Sequence, residues 1–398
     1  MCDFHATGSS CTQGSPAVAE GGSGTGRRMS RRGLLGTAGI SAAALAVAGV
    51  AGRAPAAKAA TAATAAAAGQ SSSPGLSVTL LGTAGGPPPL AARFGVSSVV
   101  TVNGRNYVID CGRGAVSQYL RAGLDLSALA GIFLTHLHSD HTVDYFSFPL
   151  LAATTPPAFG LVVVYGPGPA GEDSLLRDAP GRVPGTAAFT SLSNRAFAAS
   201  GTFFLAEHIG VDPATLVEIT EIMPPAGTGA SLSTPAPVMA PFTVLETSDL
   251  KVTAILVPHG KVFPAYAYRF DTDHGSITFS GDTTRTPNIP ALARDADLLV
   301  HEVVDLAAFS GPGFTPALVA HLQAVHTDVT VLGAIAAEAG VGALAVTHLS
   351  PADPGQVSDD TWRKLLRDSA RTADYHGTMT LGQDLMRIPV TRHRGVVS

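Results

Sequence analysis

The chain has 398 residues, 45% of them hydrophobic and only 14% charged, with Gly 44 and Pro 28. That much apolar material fills a sizeable core and excludes a disordered chain. With Lys+Arg 25 against Asp+Glu 30 and a net charge of -5, there is no bulk positive charge to grip nucleic acid, and three cysteines cannot build a disulfide framework.

The N-terminus reads as a targeting segment. Ser30-Arg31-Arg32-Gly33-Leu34-Leu35 opens an Ala/Gly-rich apolar run to Ala51, followed by the small-residue sites Ala54-Pro55-Ala56 and Ala57-Lys58-Ala59. A basic region, a modest apolar region and a small-residue cleavage site make a secretory signal. The paired arginines resemble the twin-arginine type, which exports folded proteins. The run is too weakly apolar to keep the mature protein in a membrane as a stable span, so a secreted, periplasmic or cell-envelope location is expected. Met29 offers a second start, which would make 1–28 an extension. Residues 1–59 hold Arg27, Arg28, Arg31, Arg32, Arg53 and Lys58 against Asp3 and Glu20, so the rest of the chain carries about -9. Residues 60–75, made of Ala, Thr, Ser, Gln and Gly with one Pro, read as a flexible linker.

From residue 76 the pattern is that of a folded domain, expected over 76–390. Runs rich in Val, Leu and Ile predict strands over 76–81, 96–102 and 105–109, the last two joined by the hairpin signal Asn103-Gly104. A short helix is predicted over 115–120, then strands over 132–135 and 161–165, the latter stopped by Gly166-Pro167-Gly168. Between 171 and 248 the pattern weakens into Gly, Pro, Ala, Thr and Ser, which marks an insertion or cap. Strands return over 250–258, 265–270, 276–280 and 297–300. Helical patterns over 316–325 and 330–339, closed by Gly340 and Gly342, precede a strand over 343–347 and an amphipathic helix over 361–372. Strands first and helix–strand units after, twice over, predict an α/β fold of two sheets face to face with helices outside.

His136-Leu137-His138-Ser139-Asp140-His141 puts four potential metal ligands within six residues, directly after a predicted buried strand. Imidazole nitrogens suit zinc, and an aspartate adds negative charge and can hold a second divalent ion. The same order, an apolar strand and then a ligand residue, recurs three times: His259 after 250–258, Asp282 in Ser280-Gly281-Asp282-Thr283, and His348 in Thr347-His348-Leu349-Ser350. Assigning His136, His138 and His259 to one ion, Asp140, His141 and His348 to another, and Asp282 to both gives a binuclear hydrolytic site for two zinc ions per chain, with a hydroxide held between them. Asp110, at a strand end, is placed to hydrogen-bond a ligand imidazole, and Cys111 reads as a buried small residue rather than a nucleophile. His208, His274, His321, His376 and His393 read as surface or packing residues, with His208 alone placed to line a substrate pocket.

These motifs, with Leu81-Gly82-Thr83 and Ile109-Asp110-Cys111-Gly112, resemble the metallo-beta-lactamase superfamily over roughly 76–388, specifically its ribonuclease Z-like branch, which also holds zinc arylsulfatase-like enzymes. The resemblance implies the four-layer αβ/βα sandwich of that fold, with two zinc ions on the seven residues above at one edge of the two sheets. Asp140 and Asp282, rather than a cysteine, separate the chain from the zinc beta-lactamases proper. It further implies a catalytic part for Asp140 within the metal set, and for His326, in Ala324-Val325-His326-Thr327, a role at the leaving group without binding metal. His301-Glu302 stands where the family has His-Glu-Ala-Thr and reads as a pair that orients a ligand or catalytic histidine.

Three features argue against transfer-RNA processing. An exported protein does not meet transfer-RNA precursors. The family's Pro-x-Lys-x-Arg-Asn loop here reads Pro89-Leu90-Ala91-Ala92-Arg93-Phe94, without the lysine that would contact phosphate. The chain beyond the leader is acidic, and 171–248 holds only Arg177, Arg182 and Arg195 and no lysine. The expectation is therefore an exported zinc hydrolase of small anionic esters, aryl sulfates or phosphodiesters, with nucleic acid not expected as a partner. The alternatives are a ribonuclease Z-like endoribonuclease acting on transfer-RNA 3′ ends, a lactone hydrolase, and a non-catalytic binding protein that keeps the fold. Phe189, Phe197, Phe203, Phe204 and Leu205 would suit an aryl or acyl group, or the packing of a cap. Oligomeric state is left open, a homodimer included.

Overall fold

The structure is a computed structural model in which residues 75–177, 181–311 and 313–392 are described. The leader expected over 1–59, the expected linker apart from Gly75, and His393 lie outside the described residues. Among the described residues no helix is long and apolar enough to cross a membrane.

Six strands in succession build the first sheet: β1 (Leu76–Gly82), β2 (Ser97–Val102), β3 (Arg105–Ile109), β4 (Leu129–Phe133), β5 (Val162–Pro167) and β6 (Val217–Ile222). Seven more build the second: β7 (Phe242–Glu246), β8 (Lys251–Leu256), β9 (Tyr266–Thr272), β10 (Gly275–Phe279), β11 (Leu298–Val304), β12 (Ala343–Ser350) and β13 (Thr378–Leu381). The last strand, β14 (Met386–Val390), returns to pair antiparallel with β1. Both sheets follow one plan. Running β14-β1-β2-β3-β4-β5-β6, the first sheet has three antiparallel pairings and then three parallel ones. The second runs β7-β8-β9-β10-β11-β12-β13 with the same three and three. This is the two-fold repetition expected from the sequence, and the parallel halves require crossover connections.

Those connections carry helices α1 (Ala115–Arg121), α2 (Ser139–Thr142), α3 (Ser147–Ala152), α4 (Thr186–Ala196) and α5 (Ala198–Ala206) in the first half. The second half has α6 (Asn288–Ala293), α7 (Pro316–Val325), α8 (Leu332–Ala339) and α9 (Asp359–Thr372). Strand side chains alternate between faces, and the apolar residues divide accordingly. Tyr107, Ile109 and Phe133 of the first sheet meet Val252, Tyr268 and Phe270 of the second in the central layer. Val108, Ile132 and Leu134 face outward onto α1 and α3, and Ile255, Leu299 and Leu344 face α6, α8 and α9. The result is the αβ/βα four-layer sandwich. At its centre Phe133 stacks on Tyr165 at 4.6 Å and meets Tyr268 and Phe270 edge-on at 5.5 and 5.1 Å.

The segment 171–248 does more than the sequence suggested. Besides α4 and α5 it supplies β6 and β7, the outer strands of the two sheets. Neither announces itself as a buried strand: β6 reads Val-Glu-Ile-Thr-Glu-Ile, half of it polar, and no residue of β7 is fully buried. Edge strands carry such mixed patterns because only part of their surface faces a core.

Candidate metal centre

The chain leaves β4 under restraint. Tyr266 N donates to Thr135 O at 2.9 Å and Tyr268 Oη to Leu134 O at 2.8 Å, fastening this strand end to β9 of the other sheet. His136 follows at once, and after His138 the chain turns into α2, with Thr142 Oγ1 donating to His138 O. The turn divides the motif. His136 and His138 join His259, which follows β8, while Asp140 and His141 join Asp282, which follows β10, and His348 of β12. Within each group one donor atom per residue lies within 4.8 Å of the rest.

His348 reaches the site through a break in register. Glu302 pairs with Thr347 but Val303 pairs with Leu349, so His348 is the extra residue of a bulge, at φ 47°. Bulges of this kind re-aim a side chain. Asp282 sits at the middle of the arrangement: its Oδ2 is 3.2 Å from His141 Nε2, 3.2 Å from His348 Nε2, 3.8 Å from His259 Nε2 and 4.0 Å from His136 Nε2. It therefore faces both groups.

The donor set fits zinc. Two atoms each about 2.0–2.1 Å from a tetrahedral zinc stand roughly 3.3 Å apart. The contacts here include 3.2 Å between His259 Nε2 and His138 Nδ1 and 3.4 Å between His348 Nε2 and Asp140 Oδ2. His136 Nε2, His141 Nε2 and Asp282 Oδ1 are buried without a hydrogen-bond partner among the described residues. Such atoms cost free energy unless something else takes their lone pairs.

Electrostatics agree. Burial pushes the imidazoles of His136 and His138 down, and that of His259 to about 4, leaving neutral rings at pH 7. Burial also acts against charge on Asp282, but His141 and His348 outweigh it and hold the carboxyl well below its ordinary range. Burial opposes charge on His141 too, and Asp282 and Asp110 outweigh it and raise that ring. The negative charge that would keep a proton there would equally hold a cation.

Around this group lie the other residues singled out in the sequence. Asp110, at φ 56°, accepts from His141 Nδ1 at 2.8 Å. Glu302 Oε1 accepts from Thr327 N at 2.8 Å and Thr283 N at 3.3 Å, and its Oε2 is 3.3 Å from His326 Nδ1. Burial would lower His326, but Glu302 raises it to about 9. His326 stands against the rings of His259 and His348, at centroid distances of 5.5 and 5.3 Å. His301, its neighbour in the motif, is fully buried, and its Nδ1 contacts Glu302 O at 2.7 Å rather than any of the seven donors. Cys111 is buried, which pushes its thiol up. His208, His321 and His376 are exposed, and His274 Nε2 pairs with Asn103 Oδ1. Phe197 stacks on Phe146 and Phe189 lies beside Tyr145, so these rings fasten α4 and α5 to the domain instead of lining the centre.

Two clefts open beside the ligands. One of about 210 Å³ runs along Gly86, Pro87, Pro88, Pro89 and Asp140. The other, about 260 Å³, passes His138, Pro167, Pro184, Lys261 and Phe263. Sequence reasoning missed Lys261 and Phe263, and it missed Gly86, whose N–H donates to Asp140 Oδ2 at 3.1 Å. Thr135 was missed as well, although a hydroxyl directly before the first ligand was a readable signal.

The metallo-beta-lactamase superfamily profile matches residues 90–321, more than half of the chain. A ribonuclease Z of Mycobacterium sp. strain KMS is 30% identical over 325 residues, 81% of this chain and 98% of that protein. The chain belongs to the metallo-beta-lactamase superfamily, in its ribonuclease Z-like branch. It is a metal-dependent hydrolase of that fold. A Mycobacterium marinum ribonuclease Z is 28% identical over 79% of this chain and 99% of its own length. The crystal structure of human tRNase Z, short form, matches with TM-score 0.52 at 19% identity, over 78% of this chain and 98% of that one, a likeness of fold.

These superfamily relatives correct one expectation. Nucleic acid was not expected as a partner, yet full-length relatives are named for action on RNA. The expectation rested on export, on a missing lysine and on net charge, and the first of these is itself only an expectation drawn from residues outside the described ones. Net charge governs long-range attraction, whereas at a phosphodiester the decisive field is that of divalent ions a few ångströms away.

Proposed function

We propose that the protein is a binuclear zinc phosphodiesterase acting on RNA, of the ribonuclease Z kind, with the 3′ region of transfer RNA as its first substrate to test. The observation that carries this reading is a set of seven donors in two groups, with Asp282 of the second group 3.8 Å from His259 of the first, in a chain spanning 98% or more of its ribonuclease Z relatives. Bound there, two divalent ions supply Lewis acidity at a phosphoryl oxygen. In this reading the chain's own residues do the rest. His326, held protonated by Glu302, gives its proton to the leaving oxygen. The cleft beside His138 takes the RNA strand. Lys261, which has no ion-pair partner among the described residues, meets a phosphate, and Phe263 offers a face for a base.

The test uses the zinc-loaded full chain on a transfer-RNA precursor with a 3′ trailer, with an aryl phosphodiester and an aryl sulfate alongside. Chelated enzyme and His138→Ala serve as blanks. One defined, zinc-dependent cut in the RNA is expected, whereas sulfate hydrolysis with intact RNA would overturn the reading. Export remains a separate proposal resting on Ser30–Arg32 and the run behind it, and fractionation of cells making a C-terminally tagged chain tests it.

A further inference from the structure

We propose that Asp110 and Thr135 form a positioning relay that fixes the orientation and tautomer of one histidine in each ligand group, His141 directly and His136 through the Thr135 hydroxyl. The inference rests on the metal reading above and concerns how the apo side chains are set for it.

Asp110 accepts three hydrogen bonds. Its Oδ1 takes Thr135 N at 2.8 Å, and its Oδ2 takes both Thr135 Oγ1 at 2.9 Å and His141 Nδ1 at 2.8 Å. A threonine hydroxyl has a single hydrogen. With that hydrogen on the carboxylate, Thr135 Oγ1 faces His136 Nδ1, 3.1 Å away, as an acceptor. His136 must then carry its proton on Nδ1, as His141 does. With Nδ1 engaged in both rings, Nε2 is the atom left to meet a cation, and both Nε2 atoms are buried and turned toward Asp282 Oδ2, at 4.0 and 3.2 Å. The hydrogen bond at one ring nitrogen decides what the other can do.

The relay is rigid and dry. Asp110, Thr135, His136 and His141 are all buried, so water does not compete for these bonds. The Asp110 backbone is fixed by its own N–H donating to Phe133 O at 2.9 Å, two residues before Thr135. Because His136 belongs to one ligand group and His141 to the other, a single carboxylate sets both. The two arms differ in one atom, the Thr135 oxygen, and that makes them separable.

The first measurement needs no variant. In zinc-loaded full chain with ¹⁵N-labelled histidine, long-range ¹H–¹⁵N correlation should show His136 and His141 protonated at Nδ1. A His136 without a proton on Nδ1 overturns the relay. The second compares zinc content and affinity, by competition with a chromophoric chelator, in Thr135→Val and Thr135→Ser. The valine variant should hold one ion as the parent does and the other roughly 10–100-fold more weakly, while the serine variant, which keeps the hydroxyl, should match the parent. Parental affinity for both ions in the valine variant, equal weakening of both, or a serine variant as weak as the valine one each overturn the relay. A parent that binds no zinc sinks the metal reading together with it, so the two failures are distinguishable.

Discussion

Gly85 shows how little room the centre allows. A Cβ at this position would lie 2.5 Å from His348 Nδ1 and 2.9 Å from the His348 carbonyl oxygen, and the second of these is backbone, which cannot swing aside. His348 is already in the left-handed region at φ 47°, a conformation that costs a non-glycine residue on the order of 1–2 kcal/mol. Gly85→Ala should therefore push His348 off Asp282 and Asp140 and weaken the second ligand group about 10–100-fold, with the first group unchanged. Zinc stoichiometry under chelator competition checks this, and an unchanged second ion would show that the loop yields instead. The seven donors were legible from sequence because each follows an apolar strand, a local pattern. Gly85 was not, since its importance lies in contact with His348, far along the chain, and Thr135, though it stands beside the motif, acts through Asp110, which sequence proximity does not reveal.

The loop between β1 and β2 is an element held from several sides. Leu349 N donates to Thr83 O and Gly85 N to Leu349 O, at 2.9 and 3.1 Å, joining it to the end of β12. Asp384 accepts from Thr83 Oγ1 at 2.8 Å and from Phe94 N at 2.7 Å. Arg93, 7% exposed, donates to Thr83 Oγ1 and makes a 2.6 Å ion pair with Asp359 in the first turn of α9. The arginine that survives from the family's Pro-x-Lys-x-Arg-Asn loop thus serves the fold and is not free for phosphate. α9 is a sound anchor: Ser358 caps it by accepting from Thr361 N, and Trp362 and Leu366 are buried beneath it. Removing one partner of a buried pair costs about 3–5 kcal/mol, and Asp359 keeps 31% of its exposure. Asp359→Ala is accordingly expected to cost about 3 kcal/mol, the low end of that range, read as a lower urea midpoint at unchanged slope. A midpoint equal to the parent's would show that the bonds Arg93 donates to Thr83 Oγ1 and, at 3.4 Å, to the Gly382 carbonyl oxygen suffice to hold it. At this scale the inner strands and the helices over 316–325 and 361–372 could be read in the sequence, because they are continuous apolar runs or strongly amphipathic. The outer strands β6, β7, β13 and β14 could not. They are short, half-exposed and defined by their neighbours.

Across the whole molecule the centre joins the two halves of the sandwich. His136, His138, Asp140 and His141 come from the end of β4 in the first sheet, and His259, Asp282 and His348 from β8, β10 and β12 in the second. The pseudo-repeat of sheets was legible because strand and helix patterns recur in order, and Asp282 was legible as a candidate from its place after a strand, but the distances that set it among histidines of both sheets are long-range facts that no window of sequence contains. Without cations the interface buries two aspartates among histidines whose nitrogens lack partners, and an unfolded chain has no such site to offer. Each ion that binds only the folded form stabilises it by about 4.1 kcal/mol when free zinc is 1,000 times its Kd. With an unfolding entropy of about 2.1 cal/mol/K per residue, over the roughly 310 described residues, that corresponds to a rise in Tm of roughly 6 °C for each ion bound. Stripping zinc with a chelator should lower the midpoint by that order, and restoring it should recover the loss. His138→Ala, which removes a donor from one group only, should recover part of it. An unchanged midpoint on chelation would mean that the apolar layer between the sheets holds them without help from the metal centre.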